Sequence, residues 1–359
     1  MTDVLIIGAG PAGLAAAITL RQQGISATVV YREEKGHFKA GESLSGTARV
    51  SLEKLGLWDI FIADPHMPCY GNSSSWGNHQ LHYYPFIHSL NGHGWHIDRR
   101  LFEQRMLEEA THLGVTFCFM EKDAVLRQEN DHSWQLNFPQ TGKTIAAKIV
   151  FDASGRNSWV SRQLGLKRIR DDRQIAVVSF LKASGQPSED QSSLVESMEY
   201  GWWYTAPLAD AHLACVFFTD PDIYKTRQLH TPHGWKNGLF STHYTFDRIQ
   251  KGQYELLEPP RLMAAESSRL QSPVGNNRIT AGDAAISFDP LSAHGISLAL
   301  VSGIDAATAI SRQLNGDDSA FGEYGQLLTG VYYHYAEERL KHYRREQRWP
   351  DSAYWRRRR

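Results

Sequence analysis

The first thirty-one residues restrict the fold more than any other part of the chain. "VLII" (Val4 to Ile7) runs into Gly8, Gly10 and Gly13 of a G-x-G-x-x-G pattern; Pro11 to Gln23 follows as a run of helix formers, Gly24 stops it, and "ISATVVY" supplies a second apolar run. Four apolar residues bounded by glycine fit a strand buried on both faces. Glycines where a strand gives way to a helix permit a tight turn and let backbone approach a pyrophosphate, which the free N–H groups of the helix can hold. The pattern predicts a βαβ opening of an α/β fold, Rossmann-like, with Gly8, Gly10, Ala12 and Gly13 at a dinucleotide. The acidic residue expected about 20 residues further on is displaced. Tyr31 ends the second run, with Arg32, Glu33 and Glu34 beyond it, so the ribose partner stays open and Arg32 is compatible with a 2′-phosphate.

A chain of 359 residues suffices for one large domain or two fused ones. The 38 basic residues nearly cancel the 39 acidic ones, so no global field steers the protein to nucleic acid or an anionic membrane. Cys69, Cys118 and Cys215 are odd in number and far apart, which fits a reduced compartment and buried thiols rather than a disulfide framework. The start shows no leader pattern and no apolar run reaches spanning length; the expectation is a cytoplasmic protein that enters no membrane.

Further along, Glu42–Ile60 reads as helix, 65–95 as irregular or β, and "HIDRRLFEQRMLEEATHLG" as a helix stopped by Gly114. Strands fit Val115–Phe119, Ser133–Phe138 and Ile145–Phe151, and several more fit Gln174–Thr219. Helical pattern returns after Ser292 and continues to about Gln347. Without repeats or linkers, the expected organisation is interleaved. A nucleotide-binding domain takes 1–65, 95–170 and 265–315, a β-sheet substrate domain takes 66–94 and 171–264, and 316–359 forms a C-terminal helix and basic tail.

The segment "RITAGDAAISFDPLSAHGISLAL" (Arg278 to Leu300) resembles the second flavin signature of the FAD-dependent monooxygenase superfamily, para-hydroxybenzoate hydroxylase type. The resemblance implies FAD, with Asp283 on the ribityl chain, Pro290 near the flavin, and Gly295 and Ile296 opening a helix whose positive end faces the isoalloxazine and stabilises negative charge on it. "FDASGRNSWVSRQLG" is similar to the superfamily's middle motif, beginning at Asp152. "KAGESL" is similar to its flavin-skirting loop, with Lys39 facing the pyrophosphate and Ser43 at the cofactor, and "HIDRRLF" to the helix whose arginine, here Arg99, approaches it. No second G-x-G-x-x-G occurs, so electrons are expected from NAD(P)H in transient contact or as reduced flavin from a separate flavin reductase, with O2 as co-substrate.

"GESL" and the C-terminal "YRREQRWPDSAYWRRR" resemble the branch containing flavin-dependent tryptophan halogenases. Their W-x-W-x-I-P wall aligns with "GWWYTAPL" at Trp202, Tyr204, Ala206 and Pro207, two of the four positions being smaller or more polar. Those enzymes also use a lysine between the GES loop and the D-R helix, and Leu55 through Asp98 contains none. "GWWYTAPL", "DPLSAHG" and "CYGNSSSWG" together look most similar to flavoprotein tryptophan hydroxylases that mature cysteine tryptophylquinone oxidases. That resemblance implies hydroxylation of a tryptophan on a partner protein, the oxidase precursor. The alternatives are a halogenase, a geranylgeranyl-reductase-like oxidoreductase on a small molecule, and a non-catalytic FAD-binding maturation factor.

Trp76, Trp95, Trp202 and Trp203 are the indoles expected near such a site. His294, just before the flavin-facing helix, is a candidate donor, and Glu42 a candidate base or a cap for the next helix. His79, His82, His88, His93 and His96 crowd one stretch, but H-x-x-H in extended backbone does not converge two rings and no cysteine or carboxylate completes a set, so no metal is expected. The terminal "WRRRR" reads as a solvated run, or as a docking contact for a protein substrate.

Overall fold

Val4 to Ile7 are sealed on both faces, and the strand they build, β1 (Thr2–Ile7), lies in the middle of a parallel sheet. The computed structural model describes residues 1–32, 39–185 and 189–359, with His88 described by its backbone alone; Glu33 and Glu34 therefore lie outside the described residues. After β1 come α1 (Pro11–Gln22), β2 (Ala27–Tyr31), β3 (Ser43–Leu44), β4 (Gly71–Ser75), β5 (His82–Pro85), β6 (Gly94–His96) and α2 (Arg99–His112). The chain continues through β7 (Lys143–Asp152), β8 (Ile175–Ala183), β9 (Ser193–Met198), β10 (Gly201–Leu208), β11 (His212–Thr219), α3 (Tyr244–Lys251), β12 (Arg278–Thr280), α4 (Gly295–Leu314) and α5 (Ala320–Arg344), with shorter pieces between.

In the first sheet β12, β7, β1, β2 and Thr116–Phe119 run side by side and parallel. Alternation divides its core: Val4 and Ile6 pack with α1, α2 and α4, while Leu5 and Ile7 meet Leu126, Trp134 and Leu136 of an antiparallel hairpin on the other face. The second sheet runs Tyr254–Leu256, β8, β11, β10, β9, β4, β5. It is antiparallel except where β4 joins β9. One face carries Trp203, Cys215 and Phe217 against Trp235, Leu239 and Ile249 of the Pro232–Phe240 helix and α3. The other carries Trp202, Val216 and Phe218 against Tyr343, Tyr354 and Trp355. A small third sheet pairs β3 and Met67–Cys69 with β6.

Three expectations change. The helix expected over Glu42–Ile60 is β3 followed by two short helices, Ala48–Lys54 and Trp58–Ala63, because Ser43 and Leu44 are drawn into pairing with His96 and Trp95. Between Pro221 and Lys251 three helices appear that the strand-rich reading passed over, two of them begun by the prolines Pro221 and Pro232, a favoured first helical residue. The basic C-terminus is only partly solvated, Arg356, Arg357 and Arg359 being exposed. Tyr354 and Trp355 are fully buried, Arg358 is buried, Arg358 Nη2 lies 2.5 Å and Arg357 Nη1 2.8 Å from Asp220, and Trp355 Nε1 donates to Met198 O at 2.8 Å. Asp220 and Asp222 supply the counter-charge from far away in sequence. No described helix is long and apolar enough to cross a membrane.

Removing one partner of a buried ion pair strands the other. Arg358→Ala is expected to cost about 3 kcal/mol of stability, measured by urea denaturation, whereas Arg356→Ala, exposed in the same basic run, should cost nothing measurable.

Candidate active site

The three motif glycines do different work. A Cβ on Gly8, whose φ is +114°, would fall 2.3 Å from Ala153 O, and one on Gly13 would fall 2.0 Å from Gly8 O; these two let strand, turn and helix touch. A Cβ on Gly10 would meet nothing within 4 Å among the described residues, which leave space in front of α1 where a pyrophosphate is expected. Neither α1 nor α4 has a side-chain cap or an acidic residue in its first turn, in contrast to α2, which Asp98 caps. The two helices meet at Ala12: a Cβ on Gly303 would lie 2.4 Å from Ala12 O, and one on Gly282 2.9 Å from Ala12 Cβ. Ala12 is thus the point at which α1 and α4 are held in close contact. Gly295, first in α4, faces open space. Ile296 is buried, and the buried Ser297 hydroxyl has no hydrogen-bond partner among the described residues.

Asp283 is partly exposed and 3.3 Å from Arg156 Nε. Its turn is held from behind by Arg168, which donates to the Asp283 and Ala284 carbonyls at 2.7 and 2.8 Å and to the hydroxyls of Ser158, Ser268 and Ser287. Asp152 is fully buried, its oxygens taken by the backbone N–H and hydroxyl of both Ser154 and Ser161; it organises the turn that meets Gly8. Pro290 begins a turn fastened by Asp289, which accepts from Leu291 N, Gln174 Nε2 and the Tyr343 hydroxyl. Arg168 carries no local pattern that sequence reasoning could have used, and the "DPLSAHG" motif that Asp289 opens did not by itself assign it this fastening role.

Lys39 and Arg99 share Glu103, each at 2.8 Å, and Arg99 Nη1 also donates to Gly41 O. They tie the loop before β3 to α2. Tyr31 packs edge-on to Phe117, and Arg32 is exposed beside it.

On β10 the Tyr204 hydroxyl lies 2.6 Å from Ser43 Oγ, joining the GES loop to the second sheet. Glu42, also buried, accepts from Gly41 N; burial pushes its carboxyl up, against a hydrogen bond from Tyr204. It caps no helix. The same face carries Trp202, whose Nε1 donates to the Tyr343 hydroxyl at 3.1 Å, and Trp76, whose ring meets Trp202, Tyr343 and Trp355 edge-on. Trp203 points the other way, onto Trp235 with Nε1 on Met198 Sδ, because adjacent strand residues face opposite sides. Pro207 has the parity of Trp203. Trp95 packs on Phe61 and His93. His294 is exposed, its Nδ1 against Ser292 O. His96, buried, sets Nε2 2.9 Å from Ser193 Oγ, and burial, with the Arg248 charge behind it, pushes its pKa down to about 3.

A family model described as an FAD binding domain matches residues 1–326. The chain belongs to that FAD-binding family. Over 363 aligned residues it is 29% identical to LodB of Marinomonas mediterranea, named as an FAD-dependent oxidoreductase, covering 99% of this chain and 96% of LodB. To the brominase of Pseudoalteromonas luteoviolacea that acts on a pyrrole carried by a peptidyl-carrier protein it is 26% identical, over 88% of this chain and 79% of that one. The flavin-dependent halogenase CmlS superposes with a TM-score of 0.87 at 25% identity, covering 100% of this chain and 67% of that chain. The peptidyl tryptophan dihydroxylase QhpG superposes with a TM-score of 0.73 at 24% identity, over 99% and 78%.

The open ground at Gly10 and Gly295, two uncapped helix ends and the reachable Asp283 carboxylate fit FAD as this family binds it. Gly10→Leu should therefore lower retained flavin more than tenfold, read by absorbance after gel filtration, and leave the melting temperature of the flavin-free protein unchanged; Gly13→Ala should lower that temperature. Because His96 stays neutral when folded but protonates when unfolded, stability is full above pH 6.5 and is lost toward pH 3. The slope is about 1.4 kcal/mol per pH unit, and urea melts of His96→Gln should flatten that stretch of the profile.

Proposed function

We propose that the protein is an FAD-dependent monooxygenase that hydroxylates a tryptophan side chain of a partner protein during maturation of a tryptophan-derived quinone cofactor. The observation that carries the reading is the bond between Tyr204 and Ser43, which sets a phenol, in place of the halogenases' second wall tryptophan, between the flavin loop and the second sheet. The lysine-free stretch Leu55–Asp98 speaks for oxygen transfer over halogenation. The fold shared with QhpG, a peptidyl tryptophan dihydroxylase, supports a peptidyl tryptophan as substrate, and the near full-length similarity to LodB supports an FAD-dependent oxidoreductase.

Reduced FAD supplies the two electrons with which O2 yields one oxygen atom to the substrate and one to water. Around it the chain positions and excludes. The uncapped ends of α1 and α4 stabilise the negative charge of the cofactor, with Gly8, Gly10, Gly13, Tyr31, Arg32, Lys39, Arg99, Asp283 and Pro290 disposed along it. Trp202 and Phe218, stacked at 4.0 Å, keep water from one side. Tyr204, held neutral by burial and by Glu42, donates or accepts a hydrogen bond without adding charge. The electron source is NAD(P)H or a separate flavin reductase.

Incubated with reductant, oxygen and the precursor of a quinone-dependent oxidase, the protein should add one or two oxygen atoms, drawn from O2, to a single tryptophan, seen by peptide mass spectrometry. Tyr204→Phe should lower the fraction of consumed reductant recovered as that product. An unmodified precursor alongside halogenation of a small arene would replace this reading with the halogenase one.

A further inference from the structure

The inner face of the second sheet is covered at two places and half-open between them. Strand register puts Tyr204 of β10 opposite Val195 of β9, Val195 beside Ser74 of β4, and Ser74 opposite His82 of β5, so these four side chains form one row on one face. All four are partly exposed, whereas their neighbours turned to the outer face, Trp203, Thr205, Leu194, Glu196, Ser73 and Ser75, are all buried. On one side of the row stands the C-terminal segment, where Glu346 takes the Ser197 hydroxyl and Gly77 N at 2.7 and 2.8 Å. On the other stands β6, where His96 takes Ser193. The row runs from Tyr204 to β5, which forms the edge of the sheet, and so opens to solvent at its far end.

The chemistry of this lane is uniform. Pro65 through Ile97, which supplies β4, β5 and β6, contains no Asp, Glu, Lys or Arg, in a chain that is 21% charged. At the open end the same stretch exposes Tyr83 at 53%, Tyr84 at 58% and Ile87 at 83%. Tyr84 shares the inner face, being opposite Asn72 and one row from His82. Three strand spacings separate β10 from β5, about 14 Å, which an extended chain crosses in about four residues.

We propose that this row is the seat of an extended, uncharged polypeptide segment of the substrate protein, which enters over Tyr84 and Ile87, lies across His82, Ser74 and Val195, and presents one side chain at Tyr204. The proposal rests on a substrate carried by a protein and adds how that protein is recognised. A free amino acid is too short to cover the lane. A charged segment would give up hydration against strands that carry no charge of their own, the neighbouring Glu346 and Arg348 being paired with each other, so neutrality selects the occupant.

The test is selection of short peptides with a fixed tryptophan and randomised flanks on the immobilised, FAD-loaded protein, read by sequencing. The expected result is depletion of Asp, Glu, Lys and Arg by about fivefold within the roughly four residues on one side of the tryptophan. That bias should vanish in Ser74→Arg and in the exposed-edge variant Tyr84→Asp, both retaining flavin and melting temperature. Equal enrichment on wild type and variants, or flanks indifferent to charge, overturns the proposal. So does self-association of the protein that Tyr84→Asp abolishes with no peptide enriched, since the edge then belongs to a second copy. Peptides that bind with this bias yet gain no oxygen leave the lane standing and remove the hydroxylase reading. Oxygenation of free tryptophan without peptide selection does the reverse.

Discussion

The approach of α1 to α4 at Ala12 is the contact on which the arrangement depends. Two helices can bring their backbones this close only where one presents glycine and the other alanine, and Gly303 against Ala12 O does so while Gly282 passes Ala12 Cβ from the side. A larger residue at Gly303 would part the helices and displace their first turns, where the pyrophosphate and the flavin ring are expected, from one another. Gly8 and Gly13 extend the same economy to the strand side, where Ala153 and its turn are held by Asp152. The residues that make the cleft are thus mostly those that avoid filling it.

The second sheet is joined to this cleft by few polar contacts. Ser43 with Tyr204 and Ser193 with His96 bridge the small β3–β6 sheet to β10 and β9, and Asp289 fastens the Pro290 turn to Tyr343 and Gln174. The His96–Ser193 and Asp289 contacts are buried and the Tyr204–Ser43 contact partly so, and a buried polar group left without its partner costs about 1–3 kcal/mol. The bridges therefore specify one relative placement of cleft and wall rather than merely adding attraction.

Much of the first sheet could be read from the chain because its signals are local: the apolar run, the glycine turn and the helix formers lie within thirty residues. The Asp283 turn was found in the same way, through a contiguous motif. What escaped depends on residues remote in sequence. Arg168 reads as an ordinary surface arginine until Asp283 and Ala284 fold against it, and the basic C-terminus reads as solvated until Asp220 and Asp222 are placed beside it. Trp202 and Trp203 are a different case, since alternation along a strand already forbids both from facing one site; only the choice between them needed the structure. Glu42 was expected to open a helix, but Ser43 and Leu44 pair with β6 and the helix starts only at Ala48, after a Gly-, Ser- and Thr-rich stretch of low helix propensity.

The charge distribution explains why one flank of the inner face is closed and the other open. Ion pairs on the C-terminal side are largely buried and interlocked: Arg339 with Asp172 and Asp289, Arg348 with Glu346, and Arg358 with Asp220, to which the half-exposed Arg357 also pairs. Such pairs gain little net stability over apolar packing but penalise any displacement that separates them, so they hold Tyr343, Tyr354 and Trp355 over Trp202 in one position. The Pro65–Ile97 side has no formal charges with which to build a comparable clamp. Its strands are short, its edge is uncovered by any described strand, and Tyr83, Tyr84 and Ile87 face solvent there. A fixed wall opposite an uncharged open margin makes the inner face asymmetric, and that asymmetry, rather than the chemistry of any single residue, is what the proposed lane would use to distinguish a segment of protein from a small aromatic molecule.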